Sequence, residues 1–180
     1  MKVLPLLILV WLLSVIQSTA ADSRISDIRA DYEAIRNALP TLKEERITLF
    51  ECSTTEGCEA KAYRDARGSL RYMRVEFFYE TGKAIEEYYV RDGRLIFMYR
   101  GIYRYNVPFY LTPERAKEIG SDPFDPQKTT VAEERYYFHD SKMIRWIDID
   151  KKEISSDSID FKEAERAVLS SFRAFVSKIK

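Results

Sequence analysis

Past its first twenty residues the chain places Ile25, Ile28, Tyr32, Ile35 and Leu39 at intervals of three or four, and then Pro40. This period predicts an amphipathic helix that turns one stripe to a core and stops at the proline. The far end repeats the arrangement, with Phe161, Ala164, Val168, Phe172, Phe175 and Ile179 on one side and Asp160 and Glu163 at capping-box spacing. A third, short helix is predicted over 113–119, where Thr112 can cap, Pro113 suits the first helical position and Gly120 ends it. Between the outer helices apolar and polar residues alternate, with turn signals at Arg67-Gly68, Thr81-Gly82, Asp92-Gly93 and Asp140-Ser141. That is the pattern of antiparallel hairpins, with strands near 46–52, 59–65, 69–80, 83–91, 94–105, 131–139 and 142–149. The stretch 106–130, which carries Pro108, Pro113, Pro123 and Pro126, breaks the meander as an irregular excursion.

The expected fold is α+β: a single antiparallel sheet of about six or seven strands, with the N- and C-terminal helices packed on one face. If the loops at Thr81-Gly82 and Asp92-Gly93 are two-residue turns, the pleat gathers Met73, Val75, Phe77, Tyr79, Tyr88, Val90, Leu95, Phe97 and Tyr99 on the core face. The opposite face then holds Tyr72, Arg74, Glu76, Phe78, Ile85, Glu87, Tyr89, Ile96, Met98 and Arg100. Its mixture of aromatics, methionine and paired charges suits a binding surface, for which Tyr72, Arg74, Glu76, Phe78, Glu87, Tyr89, Met98 and Arg100 are the candidates. The alternatives are that 106–130 folds over this face, or that it is an ordinary wet sheet face.

Residues 1–20 change the picture of where the protein works. One lysine, an apolar run from Val3 to Ile16, and small residues at Ser18 and Ala20 read as a secretory signal peptide cleaved before Ala21. The run is short for a membrane span and a polar stretch follows, so no stable anchor is expected after cleavage. The remainder, 21–180, suits one domain in the periplasm or outside the cell. Cleavage removes only Lys2 from a chain balanced at 29 basic and 29 acidic residues, which speaks against a nucleic-acid binder. Cys52 and Cys58 enter an oxidising compartment, where a disulfide is the natural reading, with a gain of roughly 2 kcal/mol for so small a loop. A redox pair is the alternative, although such pairs are usually spaced C-x-x-C.

Glu86–Met98 (EEYYVRDGRLIFM) matches Glu133–Trp146 (EERYYFHDSKMIRW) once one residue is inserted, which sets Tyr88-Tyr89 on Tyr136-Tyr137, Asp92 on Asp140 and Ile96 on Ile144. The match reads either as a reused hairpin unit or as the likeness of any two aromatic hairpins. Together with the helix over Ile25 to Ile35, Glu80–Lys83, Asp92–Phe97 and Tyr105–Pro108, these pieces resemble an uncharacterised family of exported bacterial proteins with E-E-x-Y-Y-F/V hairpin motifs. The resemblance would span nearly the whole mature chain. It implies bacterial export and an envelope setting, and it supplies no activity, cofactor or catalytic residue.

Little in the chain suggests chemistry. Nucleophilic hydrolases of the Ser-His-Asp or Cys-His kind need a histidine between nucleophile and acid, and His139, the single one, sits at a hairpin tip. One histidine and two cysteines joined in the expected disulfide cannot supply the ligands of a zinc site. Asp148, Asp150, Glu153, Asp157 and Asp160 lack the glycine of a calcium loop and read as a solvated strand end and helix start. The expectation is an exported, non-catalytic protein without cofactor or metal that binds a protein or cell-envelope partner through a sheet face. The alternatives are a small envelope hydrolase using carboxylates, marked by carboxylates converging in a closed cleft, and an inhibitor of a secreted or host enzyme, presenting the loop 52–58.

Overall fold

The computed structural model describes residues 23–48 and 54–179. The signal peptide expected over 1–20 and Cys52 of the expected disulfide lie outside the described residues. Helix α1 (23–38) leads through a single 3-10 turn at Leu39–Thr41 into seven strands: β1 (Lys43–Ile47), β2 (Cys58–Arg64), β3 (Leu70–Tyr79), β4 (Gly82–Arg91), β5 (Arg94–Arg104), β6 (Thr130–His139) and β7 (Lys142–Ile147). They form one antiparallel sheet in chain order, the predicted meander. Helix α2 (Pro113–Ile119) stands between β5 and β6, and α3 (Ile159–Val176) closes the chain.

Local signals account for most of these boundaries. Thr112 caps α2 by accepting from the Arg115 amide, Pro113 follows, and Gly120 ends the helix in the left-handed region at φ 66°. Asp92-Gly93 and Asp140-Ser141 all take positive φ, as the two-residue turns that match strand twist require. Three expectations need correction. The β3–β4 turn is Glu80-Thr81 rather than Thr81-Gly82, because Tyr79 pairs with Gly82. The shift moves the pairing by two positions and leaves each side chain on its face. The cap of α3 is Ser158, whose hydroxyl accepts from the Phe161 amide, so Asp160 lies inside the first turn. And β1 starts three residues early, at Lys43.

The larger correction concerns the helices. They lie on opposite faces of the sheet, not on one. The α1 stripe of Ile25, Ile28 and Ile35 packs on Tyr72, Tyr89, Ile96, Phe97 and Tyr137. The α3 stripe of Phe161, Val168 and Phe172 packs on Met73, Val75, Tyr88, Met98, Tyr136 and Phe138. Both sheet faces are therefore apolar where a helix crosses. Across the strands runs one row of direct partners, Tyr63, Tyr72, Tyr89, Phe97 and Tyr137, with rings tilted against one another and centroids 4.9–5.5 Å apart. On the α3 side the matching row is Ala62, Met73, Tyr88, Met98, Tyr136 and Trp146.

A register shift between Tyr89 and Val90 explains why β5 does not follow the simple pleat. Val90 pairs with Leu95, but Tyr89 pairs with Phe97, so Ile96 and Phe97 together oppose one residue. Everything downstream on β5 changes sides. Phe97 and Tyr99 join the α1 face, while Met98 and Arg100 move to the α3 face, contrary to their expected placement. The same shift recurs between Tyr137 and Phe138, after which Phe138 pairs with Met143. The two segments that match in sequence thus share strand pairing, positive-φ turn and bulge, so the likeness extends to backbone geometry.

Candidate binding face

The motif E-E-Y-Y on β4 divides its side chains between the faces, because positions two apart share a side. Glu87 and Tyr89 face α1, and Glu86 and Tyr88 face α3. On the α1 side Glu87 is 8 % exposed. Its Oε1 accepts from the Tyr72 hydroxyl at 2.8 Å and from Arg74 Nη1 at 3.0 Å, and its Oε2 accepts from the Tyr89 hydroxyl at 2.9 Å. Arg74 also donates through Nε to Glu76 at 2.9 Å. On the α3 side the Tyr88 hydroxyl donates to Glu86 at 2.5 Å, and Arg100 grips Glu86 through Nε and Nη2 at 3.0 and 2.7 Å while reaching Glu134 at 3.5 Å. Each face therefore holds a buried carboxylate satisfied by tyrosine and arginine, which is how a charge survives in a core.

This placement corrects the expected surface. Tyr72 and Tyr89 are buried beneath α1, and Met98 is buried on the opposite side. Arg100, also opposite, is half-buried and clamps Glu86 and Glu134. Glu87 anchors the network from within. What stays half-exposed beyond the helix is Arg74, Glu76 and Phe78 from the expected set, with Lys83, Tyr99, Tyr103, Glu133 and Arg135 beside them. The stretch 106–130 is tied down at the end of the β3–β4 hairpin, where Tyr105 just before it donates to Thr81 and Phe109 to Glu80, and it leaves these side chains half-exposed.

Tyr99, Glu133 and Arg135 escaped the expected set because the β5 bulge decides which side Tyr99 takes. Glu133 accepts from the Tyr99 hydroxyl at 3.1 Å and from Arg135 at 2.7 Å. Gly101, the direct partner of Glu133, makes this possible: a Cβ there would stand 3.0 Å from the Tyr99 hydroxyl oxygen and 3.1 Å from the Tyr103 ring. Both rings lie across the glycine, and Lys83 Nζ sits 5.3 Å from the centre of the Tyr103 ring. Where this band meets α1 a cleft of about 560 Å³ opens, with Phe97 and Tyr137 below and Arg29, Tyr32 and Arg36 on the helix above.

No family model, curated protein or solved structure matches the chain. Among the described residues no group of three or more His, Cys, Asp or Glu could hold a metal ion, and no helix is long and apolar enough to cross a membrane. His139 ends β6 with Nε2 3.3 Å from Asp140 and is not among the residues that line the cleft. Asp148 holds its own loop by accepting from the amides of Asp150 and Lys152.

Burial, reinforced by Glu87, raises the pKa values of Tyr72 and Tyr89, and burial with Glu86 raises that of Tyr88. Tyr63 is pushed up to about 12 by burial and by its bond to Glu44. Burial works against the Arg100 cation, but Glu86, Tyr136 and Glu134 outweigh it and raise its pKa. An unfolded phenol titrates near pH ~10, so these hydroxyls contribute their full stability below that pH and lose it as pH rises toward the folded values. Ultraviolet titration is expected to show tyrosine ionisation in two stages, the second coinciding with loss of circular dichroism. A single reversible wave with the fold intact would contradict it.

Proposed function

We propose that the chain is an exported, non-catalytic protein that binds another macromolecule or a cell-envelope component through the half of the α1 sheet face that the helix leaves uncovered. The observation that carries this reading is the half-exposed band of Arg74, Lys83, Tyr99, Tyr103, Glu133 and Arg135 on paired strands. Arginine and tyrosine on a rigid scaffold are the side chains in which interface energy concentrates. A hydrolase would need a carboxylate oxygen turned to substrate. Here both oxygens of Glu87 and both of Glu133 already accept from protein donors, which favours recognition over proton transfer.

Export rests on the leader 1–20, and with it the periplasmic or secreted setting and a bond between Cys52 and Cys58. The intact mass of protein recovered from its native compartment is expected to begin at Ala21 and to fall two hydrogens short of the reduced chain; a mass starting at Met1 would remove the basis for both. The binding face is tested by retention of components from an envelope extract on immobilised protein. Arg135→Ala and Arg74→Ala are expected to weaken retention by about 1–3 kcal/mol each, and His139→Ala to leave it unchanged. Loss of function confined to His139→Ala would point to an enzyme instead.

A further inference from the structure

We infer that the cleft under α1 receives a single anionic group carried on a flat apolar body, an inference that rests on reading this side of the sheet as the binding face. The balance of donors and acceptors carries it. At the cleft floor Glu87 and Glu133 have both oxygens engaged by protein donors. The guanidinium groups keep donors to spare, since each offers five N–H. Arg135 directs Nη2 to Glu133, Arg36 leans on the Tyr89 hydroxyl and comes within 3.9 Å of Glu87 with its side chain still 44 % exposed, and exposed Arg29 engages no carboxylate among the described residues. A donor-rich cleft selects an acceptor-rich ligand group, and planar guanidinium groups match a carboxylate in geometry as well as charge.

Two further features narrow the ligand. Glu33 lies on α1 between Arg29 and Arg36 and lines the same cleft, so a second negative charge on the ligand would meet repulsion. Phe97 and Tyr137 below, with Tyr32 standing edge-on to Phe97 at 5.6 Å, give the rest of the slot an aromatic lining that an inorganic anion would leave unused. The volume suits a small ligand or one protruding group of a larger one.

The test is calorimetric titration of the purified protein with 2-naphthoate, with 2-naphthylmethylammonium and inorganic phosphate as counterparts. Saturable naphthoate binding is expected, weakened about tenfold or more by Arg29→Ala and by Arg36→Ala, with neither counterpart binding saturably. Arg29 is exposed, so its variant keeps the measurement decisive should Arg36→Ala loosen the helix. Ammonium or phosphate binding as tight as naphthoate, or naphthoate affinity unchanged in both variants, overturns the inference. Naphthoate that elutes a retained envelope partner identifies the anion as part of a macromolecule, and naphthoate that binds without eluting it identifies a free small acid. If naphthoate fails to bind while Arg135→Ala still weakens partner retention, the inference falls and the binding face stands.

Discussion

Replacing Arg100 by alanine is expected to cost about 3–4 kcal/mol of folding stability, read as a lowered urea midpoint with the slope unchanged. The guanidinium is the shared partner of Glu86 and Glu134, whose side chains are only 9 % and 11 % exposed. Without it two carboxylates face each other inside the sheet with no cation between them, and the penalty is that of stranded charge rather than of lost packing. The figure sits low in the usual range because a third of the arginine side chain reaches water, which can enter the gap. Tyr88→Phe removes a donor from the same carboxylate but leaves the cation, so it is expected to cost about 1–2 kcal/mol. Equal losses from the two variants would show that hydrogen bonding, not charge, governs the site.

Gly82→Ala is expected to be comparably severe, about 2–4 kcal/mol in the same unfolding measurement. A Cβ at this position would stand 2.2 Å from the Tyr103 carbonyl oxygen and 3.3 Å from its carbon. Both obstacles are backbone of the neighbouring strand, so relief requires β4 and β5 to part at the end where the excursion leaves the sheet. Gly101→Ala offers the contrast, because its nearest atoms belong to the rings of Tyr99 and Tyr103, which can rotate. That substitution is expected to disturb the Tyr99 contact with Glu133 more than the fold. A near-neutral Gly82→Ala would mean that the strand ends are loose and that the close approach carries no energy.

The elements themselves were legible in the residues. Periodicities of 3.6 and 2 outlined the helical stripes and the strands, Thr112, Pro113 and Gly120 delimited α2, and Asp92-Gly93 and Asp140-Ser141 marked turns whose positive φ few other residue pairs tolerate. These are local preferences, settled within a few residues of chain, and the chain order of the meander followed from them. The matching E-E-Y-Y and E-E-R-Y-Y segments marked two aromatic hairpins and left open whether they were one unit reused; the structure shows that they share the bulge as well.

What the residues could not say alone is which side of the sheet each helix takes and where β5 changes phase. Both faces of β4 are apolar at the same level, Tyr89 on one and Tyr88 on the other, so alternation gives no single core side. Covering both requires one helix on each, a decision that belongs to packing of the whole sheet. The bulge beside Tyr89 is equally a matter of partners. It costs a ladder position locally and seats Phe97 in the aromatic row under α1, with Met98 beneath α3. That single extra residue sets half-buried Arg100 between Glu86 and Glu134 and brings Tyr99 out beside Glu133. The Arg100 clamp and the candidate binding face therefore arise from tertiary contacts between strands, while the elements that carry them were determined by the sequence.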